Sequence, residues 1–367
     1  MKKTIVLFCI LAVVVILAAG CGKNAEPPVS KDTERTQSNE TENNTTVMTP
    51  NTTVTELESG LSAVKYEGNS MFNEFLAQGG ASSDAAVVAF LSQNLFSGAN
   101  GLSFDGMPFG CSTISVMDEN GSALFGRNFD WNTCNAMIVQ SKPESGYASI
   151  STVNTDFINM SGMKLSDLSD QAQAIICLYA PLDGMNEKGL AVSVNMIQDN
   201  ATINQNTDKP DITTTTAIRL LLDKAAYVGE AVERLQQYDM HASMGYMMHI
   251  TLADRNGKSV VVEYVNDEMI VTETPVVTNF YLADGEKNGI GTAQSHERYD
   301  ILTKALTDHQ TMSTDDVRDA LGSVSKKNFG EFESTEWSIV FNQSTGEVHY
   351  YHRENYDKQY TFQVEAG

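Results

Sequence analysis

The chain has 367 residues, of which 41% are hydrophobic, enough for a substantial core in one large domain or two ordinary ones. Its 47 acidic against 24 basic side chains give a formal charge of −23. That balance excludes nucleic acid, whose phosphates demand a basic face, and electrostatic docking on anionic lipid.

Residues 1–20 pair a short basic start, Lys2-Lys3, with an apolar run from Thr4 to Ala19, the pattern of a secretory signal. The run ends Leu17-Ala18-Ala19-Gly20-Cys21, which resembles a bacterial lipoprotein signal with Cys21 as the lipid acceptor. An uncleaved membrane anchor is the other reading of the same run. Both readings predict an extracytoplasmic location for the remaining chain, at the bacterial cell membrane. Residues 21–58 are rich in Thr, Asn, Glu and Ser and contain no aromatic residue. Such a stretch cannot offset its chain entropy by burial, so it is expected to be a disordered tether.

Residues 59–110 change character. Met71, Phe72, Phe75 and Leu76 lie on one face of a short helix. Ser83-Asp84 then cap a second, with Val87, Val88, Leu91 and Leu95 at helical spacing. The segment reads either as a packed N-terminal subdomain or as a pro-segment ending at Gly110. Residues 111–367 are expected to form the main domain. They open on Cys111 and a hairpin around Asp118-Glu119-Asn120-Gly121, since Asn-Gly between alternating runs is a strong hairpin signal. A two-residue turn sets Cys111 opposite Asp130, and a longer one sets it opposite Asn128. Either register brings a thiol, the guanidinium of Arg127 and the carboxylate of Asp130 close together.

Further on, Asn186-Glu187-Lys188-Gly189 is a turn leading into an alternating strand, LAVSVNM. Helices are predicted over residues 216–226 and 229–238. A second Asn-Gly hairpin and a third strand, MIVTETPVVTNF, follow. Two more helices are expected, over residues 295–307 and after Ser313, where Asp316 nearly completes a capping box. The chain closes on a hairpin, WSIVFNQSTGEVHYYHR. Antiparallel strands with intervening helices predict an α+β fold of two stacked sheets covered by helices.

Cys9 lies in the signal and Cys21 at the lipid site, leaving Cys111, Cys134 and Cys177, an odd number that implies a free thiol. Cys134 and Cys177 are read as small buried apolar residues, although they are able to pair. No CxxC, HExxH or paired Cys/His spacing points to zinc, and no cofactor is expected. The setting CSTISV is a strand start, unlike the helix-borne thiol of papain-type enzymes.

From about Met107 to the C-terminus the chain resembles the choloylglycine hydrolase and penicillin V acylase family. The resemblance rests on separated blocks in order: Cys111, then Gly126-Arg127-Asn128-Phe129-Asp130 with Arg and Asp 16 and 19 residues on, then Asp183 to Leu190 as DGMNEKGL. Asn195 on the following strand, Thr278-Asn279, Arg298 in SHERYD and TEWSIVFN complete it. The resemblance implies an αββα sandwich of the N-terminal-nucleophile hydrolases. It also implies hydrolysis of a linear amide bond by Cys111 after cleavage of the Gly110-Cys111 bond. An α-amine titrates near 7.7–8 and a thiol near 8.5, so the freed amine suits the role of base for its own sulfur. By the same resemblance Arg127 favours the thiolate, Asp130 orients the amine, Asn195 and Asn279 stabilise the oxyanion, and Arg298 supports the network. Bile-salt, penicillin V and acyl-homoserine-lactone amides all remain open as the small-molecule N-acyl amide. A homo-oligomer is also open, and membrane contact is expected through the lipid alone. Two rivals stand beside this reading: a non-catalytic ligand-binding lipoprotein of the same fold, and an acyltransferase that uses an amine acceptor.

Overall fold

The computed structural model describes residues 46–96, 101–106, 108–328 and 334–365. The signal run and Cys21 lie outside the described residues. Two large sheets stack face to face and are flanked by helices, the four-layer αββα sandwich expected. One sheet has seven strands, in the order Val47–Met48, Gln359–Gln363, Glu347–His352, Ser334–Asn342, Ala123–Trp131, Gly110–Met117 and Val276–Val277. The other has nine, running Glu268–Glu273, Ser259–Val265, Met248–Ala253, Ala191–Met196, Asp183–Asn186, Ser149–Asn154, Ala136–Pro143, Leu61–Gly68 and Thr55–Glu58.

The helices Asp170–Leu178, Thr214–Lys224 and Val228–Leu235 cover the nine-stranded sheet, and Ala293–Asp308 and Thr314–Ser323 cover the seven-stranded one. Their starts obey local rules. The Ser313 hydroxyl accepts from the Asp316 amide while the Asp316 carboxylate accepts from the Ser313 amide, a completed capping box. Helix Thr314–Ser323 approaches its sheet closely at Gly126, where a Cβ would lie 2.6 Å from Val317 Cγ1 and 2.9 Å from Ile114 Cγ2. A side chain there would force the helix away from the strand that carries Arg127 and Asp130.

Three parts of the sequence reading need correction. The expected tether gives way from Val47 to short strands, Val47–Met48 and Thr55–Glu58, each paired with a long strand. The segment expected as helical contributes Leu61–Gly68, whose eight residues pair in parallel with Ala136–Pro143. Leu61, Val64 and Tyr66 are buried, so this strand belongs to the sheet; its partner lies some seventy residues away, which gave no local signal of pairing. Finally, MIVTETPVVTNF is two strands in two sheets. Glu268–Glu273 edges the nine-stranded sheet, and after Pro275, which has no ladder donor, Val276–Val277 joins the seven-stranded one. That crossing carries Thr278-Asn279 to the start of the Cys111 strand.

Candidate active site

Hairpin register decides which side chains meet. The turn after Met117 has three central residues: the Asp118 amide donates to the Ser122 carbonyl at 2.8 Å, and Gly121 takes the left-handed conformation at φ +82°. The Asp118 carboxylate fixes this loop by accepting from the amides of Asn120 (2.9 Å) and Ser122 (2.7 Å). Cys111 therefore pairs with Phe129, not with Asp130 or Asn128, and Asp130 pairs with Gly110. A shift of one residue exchanges faces. Arg127, paired with Thr113, shares the inter-sheet face with Cys111, while Asp130 points with Ser112 and Asn128 toward the helices.

On the inter-sheet face Arg127 Nη2 lies 3.3 Å from Cys111 Sγ and donates to the Val194 carbonyl at 3.0 Å. The thiol itself faces the same carbonyl at 3.6 Å. Arg127 is paired with Asp183, and both side chains have 0% exposure. Asp183 also accepts from Trp337 Nε1 at 2.9 Å, and the Trp337 ring stacks on Phe129 at 4.0 Å. Asp183, the first residue of DGMNEKGL, is a site residue that the sequence motif does not single out. The signal that identifies it is general: a buried arginine needs a counter-charge.

On the other face Arg298 reaches through to Cys111. Its Nη1 donates to the Cys111 carbonyl and to Ser112 Oγ, both at 2.6 Å, and its Nη2 donates to Asn279 Oδ1 at 2.8 Å. Asp130 Oδ2 lies 3.5 Å from Arg298 Nη1, and its other oxygen accepts from Thr335 Oγ1 at 2.7 Å. Asn279 Oδ1 accepts from the Cys111 amide at 2.9 Å, at the nitrogen whose freed amine the resemblance assigns to Asp130. The Asn279 amide group donates to the Met196 carbonyl at 2.6 Å. Asn195 stands one residue after the carbonyl that touches the thiol, and its Nδ2 donates to the Thr278 carbonyl at 3.3 Å. All six residues singled out in the sequence thus converge on one buried locus. Arg127 and Asp130 reach it from opposite faces of one strand.

Burial dominates the electrostatics. The Cys111 thiol is pushed up to about 12 by desolvation, more strongly than Arg127 pulls it down. Burial also raises the Asp130 carboxyl above its ordinary range, against the pull of Arg298. Cys134 and Cys177 are buried and unpaired, and burial raises both. Because a raised thiol value disfavours the thiolate, an uncut native chain at pH 8 should carry about 10³-fold less Cys111 thiolate than a free thiol near 8.5. Iodoacetamide labelling of the intact chain, followed by peptide mass mapping, should leave Cys111 unmodified in buffer and modified in urea. Labelling at equal rates in both would mean that the thiol is accessible in the fold.

Two stacked sheets between helix layers, with a cysteine opening the strand at their interface, define the fold of the N-terminal-nucleophile hydrolases. The sequence model described as "Acyl-coenzyme A:6-aminopenicillanic acid acyl-transferase" matches residues 173–357, and the chain belongs to that family. The match contains Asp183, Asn195, Asn279 and Arg298 and begins after the Cys111 hairpin. Among solved structures, a mutant of conjugated bile acid hydrolase from Clostridium perfringens superposes with a TM-score of 0.52 at 18% identity. The alignment covers 69% of this chain and 92% of that one. A second variant of the same protein gives 0.50 at 16% identity, with the same coverage. Penicillin V acylase from Agrobacterium tumefaciens gives 0.47 at 18%, covering 66% and 83%. No curated protein sequence matches.

Proposed function

We propose that the protein hydrolyses a linear amide C–N bond of an N-acyl amide, using Cys111 as nucleophile after the peptide bond between Gly110 and Cys111 is cut. The observation that carries this reading is the environment of Cys111. Its sulfur, amide and carbonyl are each held by a different side chain, Arg127, Asn279 and Arg298. A merely structural cysteine has no use for three such partners.

Cleavage would turn the Cys111 amide into an amine whose remaining N–H can keep its bond to Asn279 Oδ1. The amine then takes the thiol proton, and sulfur attacks the substrate carbonyl carbon. Arg127, already at the sulfur, stabilises the thiolate. The C–N bond breaks as the ammonium returns its proton to the leaving nitrogen, giving a thioester and a free amine product. Water, deprotonated by the same amine, releases the acid. Amide donors near the site, from Asn195 or Asn279, are suited to the oxyanion, a contribution of about 3 kcal/mol per donor. In the uncut chain Cys111 has 0% exposure, and Phe109, two residues before it, packs on Phe129 and Phe157. A substrate reaches the sulfur only once those residues move, which supports processing as the activating step. The family description favours a second reading, transfer of the acyl group to an amine in place of water.

Intact mass and N-terminal sequencing of the purified protein, beside Cys111→Ala, test the reading. The expected result is a fragment beginning Cys111-Ser112-Thr113 in the wild type alone. That fragment should release acid from one of glycocholate, penicillin V or an acyl-homoserine lactone, and an acylated product with added amine acceptor would favour transfer. A chain uncut in both proteins, with no turnover, would sink the reading and favour the binding protein.

A further inference from the structure

We propose that His249 and Glu263, a buried pair on the nine-stranded sheet, are positioning residues that clamp the segment carrying Asn279 and tie it to Asn195. The proposal rests on the reading of Cys111 as nucleophile and adds two residues that touch neither thiol nor substrate. Both side chains have 0% exposure, and His249 Nδ1 lies 3.0 Å from Glu263 Oε1. His249 Nε2 faces the Thr278 carbonyl at 2.9 Å. Glu263 accepts from the amides of Leu282 (3.0 and 3.1 Å) and Ala283 (2.5 Å). The pair therefore grips residues 278–283 at both ends, just where the chain has crossed from one sheet to the other.

Two features take this beyond core packing. His249 is the direct cross-strand partner of Asn195, and both donate to the same Thr278 carbonyl, at 2.9 and 3.3 Å. The next residue is Asn279, whose side chain holds the Cys111 amide and Arg298. One imidazole thus holds the carbonyl that Asn195 also meets and that directly precedes Asn279 in the chain. Its two nitrogens both face acceptors, a carbonyl and a carboxylate that already receives backbone amides. A carbonyl oxygen only accepts, so Nε2 carries the proton that meets Thr278. A misplacement of about 1 Å at such a site costs about 10²-fold in rate, so a clamp acting through Thr278 is felt at Cys111.

Two variants of similar polarity separate the roles of the ring nitrogens. A glutamine amide reaches the place of Nε2, and an asparagine amide the place of Nδ1. His249→Gln should keep the donor to Thr278 and cut its own Gly110-Cys111 bond within about threefold of wild type, whereas His249→Asn should slow cleavage about 10²-fold. Near-UV circular dichroism checks that both are folded. A role in packing alone predicts equal behaviour, so equal rates in the two variants would overturn the clamp. A readout independent of activity is ¹⁵N NMR of the histidine-labelled, uncut Cys111→Ala chain at pH 7, with His249 assigned by its loss in His249→Gln. Nε2, the nitrogen facing Thr278, should carry a one-bond proton coupling, and a ring protonated at Nδ1 alone would overturn the proposal. A wild type that neither cleaves itself nor turns over amide defeats the hydrolase reading, and the NMR result then decides the clamp by itself.

Discussion

Replacing Arg298 by leucine should abolish self-cleavage on the timescale of a purification and lower stability by about 3–5 kcal/mol, the usual cost of removing one partner of a buried charged pair. The guanidinium has 1% exposure and meets the Cys111 carbonyl, Ser112, Asn279 and Asp130 together. Without it the Asp130 carboxyl, already raised by burial, loses the charge that holds it down and rises further. A carboxyl that rises further is less ionised at a given pH, so it would stabilise an ammonium on Cys111 less. Arg298→Lys is not a conservative substitute. One ammonium cannot meet acceptors that two guanidinium nitrogens reach in a fixed plane, and cleavage should still slow by about 10²-fold. Urea unfolding and time-resolved intact mass of the two variants check these figures. Near-normal cleavage in Arg298→Lys would mean that charge alone suffices.

Asp183→Asn should be comparably damaging by a different route. Arg127 would keep its charge at 0% exposure with its counter-charge gone, a cost of about 3–5 kcal/mol. The Trp337 indole N–H would still find an oxygen, so the loss is electrostatic and not a broken packing contact. The double variant Asp183→Asn with Arg127→Leu should regain much of that stability, since neither charge is then stranded, while remaining without activity. A thermodynamic cycle from urea midpoints measures the coupling. A double variant no more stable than Asp183→Asn would place the cost elsewhere.

Much of this site was legible in the sequence because its chemistry sits at turns and strand starts, where residue types are constrained. The Asn-Gly hairpin was visible, but its loop length was not. The loop depends on Asp118 bonding two backbone amides, and that single residue of difference decides that Arg127, not Asp130, shares the thiol's face. Arg298, given by resemblance alone a supporting role in the network, contacts Cys111 itself, through a backbone carbonyl that no side-chain pattern reveals. Asp183 was hidden in a turn motif, since its meaning depends on Arg127 across the sandwich. Strand Leu61–Gly68 was missed for a related reason: its partner is distant, and parallel pairing leaves no local trace.

That strand has a consequence for the life history of the molecule. It is sandwiched between Thr55–Glu58 and Ala136–Pro143, on the N-terminal side of Gly110. A cut before Cys111 would therefore leave two polypeptides sharing one sheet, the N-terminal one held by the eight-residue pairing of Leu61–Gly68 with Ala136–Pro143. Such a cut protein would assemble as one chain and persist as two. Once melted, its fragments would have to find each other by diffusion before pairing, so denaturation of the cut form should be concentration-dependent and largely one-way. Its durability would then be set by how slowly it opens, since the intramolecular route by which it first folded no longer exists.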